Sequence, residues 1–126
     1  MHDNKLIVIG AGGHARACID VIEQVGRYEL FGLIGTLDEL GSTRFGYEVI
    51  GTDEALRGLR KQCRNAIVGI GQIEPNTLRT RIFVTLQELN FELPSIISPY
   101  AYVSCHAEIG SGTIVMHGAT VNAGAS

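Results

Sequence analysis

Residues 97–126 read ISPYAYVSCHAEIGSGTIVMHGATVNAGAS, and an Ile or Val recurs there every six positions: Ile97, Val103, Ile109, Val115 and Val121. Neither a helix nor a strand has that period. Four residues after each stands a small side chain, at Ala101, Ala107, Thr113, Ala119 and Ala125, with Gly110, Gly112, Gly118 and Gly124 in the turns between. The spacing predicts a parallel β-helix, in which each hexad forms one flat side of a prism and three hexads close a coil. The branched residue points inward, the small residue lets the corner close, and glycine supplies the backbone angles of the corner. A half-buried antiparallel hairpin would instead place apolar residues at every second position. The stretch is too short to complete two coils, and repeat folds need about three units and a cap. It is therefore expected to lean on the preceding chain, on other subunits or on further residues.

Upstream, residues 5–9 are a continuous aliphatic run, which predicts a parallel strand buried on both faces. Gly10-Ala11-Gly12-Gly13-His14-Ala15 follows at once, and then Cys18, Val21, Ile22 and Val25 at helical spacing with Gly26 as the stop. Such glycines allow a tight turn and close backbone approach, and Ala15 lets the helix pack near the sheet. Amides at the helix start would face a phosphate placed there. Glycine turns also serve plain packing; the position between a strand and a helix favours an anion site. A dinucleotide site of the NAD type needs an acid at the tip of the second strand, residues 29–34. Gly35-Thr36-Leu37-Asp38 follows instead, so Asp38 or Glu39 could reach only if the loop folds back.

Residues 41–46 read as a polar loop containing Arg44, and residues 47–50 as a short strand. Gly51-Thr52 opens a helix with Leu56, Leu59 and Cys63 on one face and Thr52 as its cap. Arg57, Arg60, Lys61 and Arg64 fit a solvated face better than a phosphate site. Residues 66–70 are another aliphatic strand, running into Gly71, and Pro75 starts a helix carrying Leu78, Ile82, Leu86 and Leu89. Asn90 ends it, and residues 91–93 form a last strand. The order β-α-β-β-α-β-α-β predicts a small doubly wound α/β domain over residues 1–95, followed by the coils of residues 96–126. Residues 10–14, Gly35-Thr36 and Gly71-Gln72 all fall at the carboxyl ends of strands, where such domains bind ligands.

The 126 residues carry a net charge of −3 and are 45% hydrophobic, which leaves no basic footprint for nucleic acid. Cys18, Cys63 and Cys105 lack the spacing of a disulfide framework or a zinc site, so no metal is expected. The apolar run near the start spans only residues 6–9, too short for a signal peptide or a membrane span. A cytoplasmic protein is expected.

Gly-Ala-Gly-Gly-His-Ala after the first strand, Gly46-Tyr47, Ile50-Gly51-Thr52, Ile70-Gly71 and the hexads from Ile97 together resemble one family. It comprises the sugar O- and N-acetyltransferases that join a Rossmann-like domain to a left-handed β-helix and serve sialic acid O-acetylation or acetylation of UDP-linked 4-amino sugars in bacterial surface-glycan synthesis. The resemblance implies a Rossmann-like parallel sheet followed by the first coils of that helix, acetyl-CoA as co-substrate, a homotrimer, and a UDP-linked amino sugar or sialic acid as acceptor. It places acceptor contacts on Gly12, Gly13, His14, Gly35, Thr36 and Gly71; the pair at 35 and 36 is usually acidic in relatives. The sugar amine or hydroxyl would attack the thioester while a neutral histidine takes the proton. The family's histidine stands in a later coil, so no catalytic residue is assigned here. His106 occupies its place in an earlier hexad, yet it and His117 read as surface residues. His14 reads as a ligand contact or a helix-start packing residue. The chain is thus expected to hold the acceptor-binding part of such an enzyme. The alternative is a non-catalytic nucleotide-sugar-binding module with a short oligomerising ladder; an oxidoreductase is disfavoured by the missing strand-tip acid.

Overall fold

The computed structural model describes residues 4–70 and 77–125. Strand β1 (Lys5–Ile9) lies inside the five-stranded sheet, second from one edge. Leu6 and Val8 belong to the core on one face, and Ile7 and Ile9 to the core on the other, so no position of the run can be polar. Strands β2 (Glu29–Ile34) and β5 (Asn65–Val68) flank it in parallel, β4 (Tyr47–Gly51) pairs parallel with β2, and β3 (Thr43–Arg44) adds an antiparallel edge. Helix α1 (Gly13–Val25) covers one face with Ala15, Ile19 and Ile22. Helices α2 (Leu56–Leu59) and α3 (Thr77–Glu88) cover the other with Leu56, Ile82 and Leu86. This is the Rossmann-like α/β arrangement. Gly26 ends α1 in the left-handed conformation, φ 72°, donating its N–H to Ile22 O at 3.2 Å. None of the described helices is long and apolar enough to cross a membrane.

Three local expectations are corrected. The supposed loop 41–46 contains β3 and a tight hairpin with Phe45 at φ 52° and Gly46 at φ 87°, a pair of left-handed residues that matches the twist of the flanking strands. A two-residue strand is too short to show alternation. Residues 91–93 make only a single bridge, Glu92 to Asn65, because the chain leaves the sheet at Pro94 to enter the coil. Thr52 precedes a 3-10 turn at residues 53–55, with no side-chain cap bond, and α2 is barely one turn long.

The hexads stack as their period requires. Strands β6 (Ile96–Ile97), β7 (Tyr102–Val103), β8 (Ile114–Val115) and β9 (Thr120–Val121) pair in parallel, Ile97 with Val115 and Val103 with Val121, each three hexads on. Gly112, Gly118 and Gly124 turn corners at φ of 75°, 77° and 82°. In β6, however, Ile96 is the buried residue at 1% exposure and Ile97 is 39% exposed. Ile96 enters the core shared by α1 and the sheet, and Ile114 and Met116 pack against it. The coil therefore leans on α1. A polar joint lies alongside: buried Ser98 accepts the Tyr100 N–H at 2.9 Å and bonds His117 Nδ1, while His117 Nε2 stands 3.2 Å from Asp20 of α1. His117 is half-buried in that joint rather than a surface residue.

Ile96→Ala should cost about 2–5 kcal/mol in chemical denaturation, the cavity range for a buried branched side chain, and Ile97→Ala less than half of that. Equal losses from the two would contradict this account of how the coil is anchored.

Candidate functional site

Beyond the carboxyl ends of β1, β2, β4 and β5 lies a cleft of about 720 Å³, within the size range of small-molecule and cofactor sites. The glycine turn and α1 start form one wall, residues 34–37, Glu39 and residues 52–54 another, and Gly69, Ile70, Leu78 and Ile82 close it. Two kinds of glycine build the turn. Gly10 has φ 130°, and a Cβ there would stand 2.8 Å from Gly69 O; a Cβ on Gly69 would stand 2.5 Å from Val8 Cγ1. These glycines let the tips of β1 and β5 abut. At Gly12 and Gly13 a Cβ would meet nothing within 4 Å. Their missing side chains serve no contact in the fold and leave the first amides of α1 open to the cleft.

Gly12 caps α1 in extended conformation with no side-chain cap bond, and no acidic residue stands in the first turn. The helix start thus keeps unsatisfied N–H groups and the positive end of its dipole, which suit an anion. His14 lines the cleft one residue into the helix. Burial, and then the Arg79 guanidinium on α3, hold its pKa below the usual histidine value, so the ring is neutral at pH 7. Burial pushes the Cys18 thiol up to about 11 against a smaller opposing effect of Arg79, and it raises Cys63 as well. Neither buried thiol is a nucleophile at neutral pH.

On the opposite wall the loop after β2 does fold back. Glu39 Oε1 accepts the Thr36 N–H at 2.9 Å, and Glu39 Oε2 lies 3.8 Å from Arg44 Nη2. Arg44 Nε donates to Ala11 O at 2.8 Å, and its Nη1 to Ser42 Oγ at 3.0 Å and Thr43 O at 2.9 Å. A Cβ on Gly35 would stand 2.6 Å from Glu39 Oε1, so glycine at the strand tip makes room for the returning carboxylate. Gly12, Gly13, His14, Gly35 and Thr36 accordingly line one cleft with Glu39. Gly71 lies outside the described residues, two positions beyond Gly69, which lines the wall. Arg44 and residues 52–54 were missed as site residues. Arg44 reads from sequence as one more loop cation, and its tie to Ala11 spans 33 residues. His106 is exposed and outside the cleft. Among the described residues no three His, Cys, Asp or Glu side chains gather to hold a metal.

Residues 5–86 match the family described as the PglD N-terminal domain. Among solved structures, PerB from Caulobacter crescentus in complex with CoA and GDP-perosamine is 32% identical with a TM-score of 0.83, over 94% of this chain and 54% of that one. The acetyltransferase domain of PglB from Neisseria gonorrhoeae in complex with acetyl coenzyme A is 36% identical with a TM-score of 0.82, over 97% of this chain and 57% of the other. The chain spans about half the length of these structures. No curated protein gives a significant match.

The two classes of glycine should separate on substitution. Gly13→Ala should leave thermal stability unchanged or raise it by up to about 1 kcal/mol, the helix-propensity gain. Gly10→Ala should cost more than that, through the positive φ and the contact with Gly69. A thermal melt of each variant checks this, and similar losses for both would refute the distinction.

Proposed function

The chain belongs to the PglD N-terminal-domain family, and on that premise we propose that it holds the acceptor-binding part of an acetyl-CoA-dependent sugar N-acetyltransferase whose acceptor is a nucleotide-linked amino sugar. The observation that carries this reading is the start of α1, where Gly12 and Gly13 leave amides open to a cleft of about 720 Å³. A diphosphate fits amides and a helix dipole; a neutral sugar alone would not use them. PerB binds CoA and GDP-perosamine, and the PglB domain binds acetyl coenzyme A. Both relatives support acetyl transfer from acetyl-CoA, and PerB supports a nucleotide-linked amino sugar as the acceptor. The nucleotide of the present acceptor is uridine or guanosine diphosphate.

In this reading Gly12, Gly13 and His14 hold the diphosphate, Gly35 and Thr36 border the nucleoside, and Gly71 completes the acceptor contacts. Residues 1–95 form the recognition domain, and residues 96–126 begin a left-handed β-helix along which acetyl-CoA lies between the subunits of a cytoplasmic homotrimer. The sugar amine attacks the thioester carbonyl, the C–S bond breaks, and the CoA thiolate leaves. The amine proton passes to a base that this chain's described residues do not supply. Their work is to bind the acceptor at its phosphate end and set the direction in which its sugar projects. His14, neutral in the free protein and beside the helix start, donates a ring N–H to a phosphate oxygen.

Calorimetric titration with UDP- and GDP-linked 4-amino sugars, NAD and CoA tests the proposal. One of the nucleotide sugars should bind, and Gly12→Val should abolish binding while costing no more than about 1 kcal/mol of stability, the loss expected from a poorer helix cap. Preferential binding of NAD, or survival of binding in the variant, would overturn it.

His14 adds a pH dependence whose sign is defined. Its folded pKa lies below 6.5, so the unfolded chain takes up the proton first and the free protein loses stability as pH falls below about 6.5. A bound diphosphate favours the imidazolium and reverses the shift. Binding should therefore strengthen from about pH 8 to pH 6 with proton uptake, measurable by titration in buffers of different ionisation enthalpy. Zero uptake, or uptake unchanged in His14→Gln, would remove His14 from the phosphate site.

A further inference from the structure

We infer that Glu39, rather than any residue at the tip of β2, reads the ribose of the bound nucleotide, and that Gly35 and Arg44 are the positioning residues that bring it there. The inference rests on the functional reading above and adds to it a ribonucleotide-selecting carboxylate. Three observations converge. The strand tip itself, Gly35-Thr36, offers no acid. The 3-10 turn at residues 37–39 leaves Asp38 exposed and returns the Glu39 carboxylate to the cleft wall, with Oε1 on the Thr36 amide. The vacant side-chain position at Gly35 is the space that carboxylate uses, since a Cβ there would stand 2.6 Å from Oε1.

Arg44 sets the distance between the two halves of the site. Its Nε holds Ala11 O in the glycine turn at 2.8 Å, and Nη2 of the same guanidinium lies 3.8 Å from Glu39 Oε2. The carboxylate is thus one guanidinium away from the turn that receives the diphosphate. A ribose is the group that lies next to a nucleotide's own phosphates, and its vicinal hydroxyls are two donors that a carboxylate accepts well. Glu39 has capacity for them: an ionised carboxylate offers about four lone-pair sites, and the protein contacts occupy one per oxygen. The side chain is 31% exposed, accessible from the cleft yet held at both oxygens.

Titration of the chain with UDP, GDP and their 2′-deoxy counterparts reads this directly. The ribonucleotide should bind on the order of tenfold more tightly than its deoxy form, the usual worth of a hydrogen bond to a charged group. In Glu39→Ala that ratio should fall to about one. Gly35→Ala should do the same with Glu39 still present, by displacing its carboxylate. Binding by the unaltered chain without ribose preference overturns the inference alone. So does Glu39→Ala weakening both forms equally, which would mark Glu39 as a turn cap. Failure of the unaltered chain to bind any of the four nucleotides overturns the functional reading together with the inference. The unaltered chain and Gly35→Ala decide the matter if Glu39→Ala does not fold.

Discussion

After Ile9 the chain must leave the sheet while β5 ends beside it, and neither backbone has room for a side chain at that point. Gly10 turns at φ 130° with its α-carbon hydrogen facing the Gly69 carbonyl, and Gly69 in turn lies against Val8. This steric constraint directs α1 back over the sheet. It also places the helix start at the head of the cleft, where its free amides face the space between the strand tips. In the proposed reading, the wall's suitability for an anion follows from backbone geometry, through the two side chains that are missing at positions 12 and 13.

The opposite wall is organised by a charged side chain acting as a spacer. Arg44 reaches from the β3 edge to the Ala11 carbonyl and to Glu39, tying the loops after β1 and β2 together. The Arg44–Glu39 pair is long and half-buried, so its contribution to stability is small. Its value is geometric, since it fixes how far a carboxylate stands from the glycine turn. The neighbouring cation on α3, Arg79, acts on His14 from another direction and helps to keep the ring neutral.

The attachment of the coil follows a different logic. A ladder of two-residue strands pairs only with itself, β6 with β8 and β7 with β9. What holds it to the first domain is the side of the ladder not counted in the six-residue repeat: Ile96 fully buried against α1, with Ile114 and Met116 beside it. Ser98, His117 and Asp20 add a polar joint across the same boundary. Helix α1 thus carries both the glycine turn at its start and this joint along its flank.

Periodicity determined the long elements and the ladder, though not β3, the 3-10 turns or the fate of residues 91–93. The aliphatic runs at β1 and β5, the helical spacing of Cys18 to Val25, the Gly26 stop and the hexads are local patterns, and burial on both faces or a repeated corner leaves no other residue types possible there. The glycine turn and its place at a strand end were legible for the same reason. Tertiary structure decided everything that depends on residues distant in the chain or on a loop's path. Arg44 looked like a solvated loop cation because its acceptor at Ala11 lies 33 residues away. Glu39 entered the site only because the loop turned back into space left by Gly35. Ile96 became the anchor in place of Ile97 because the first hexad has a whole domain on its outer side, whereas a period by itself cannot say which side of a strand meets the larger apolar surface.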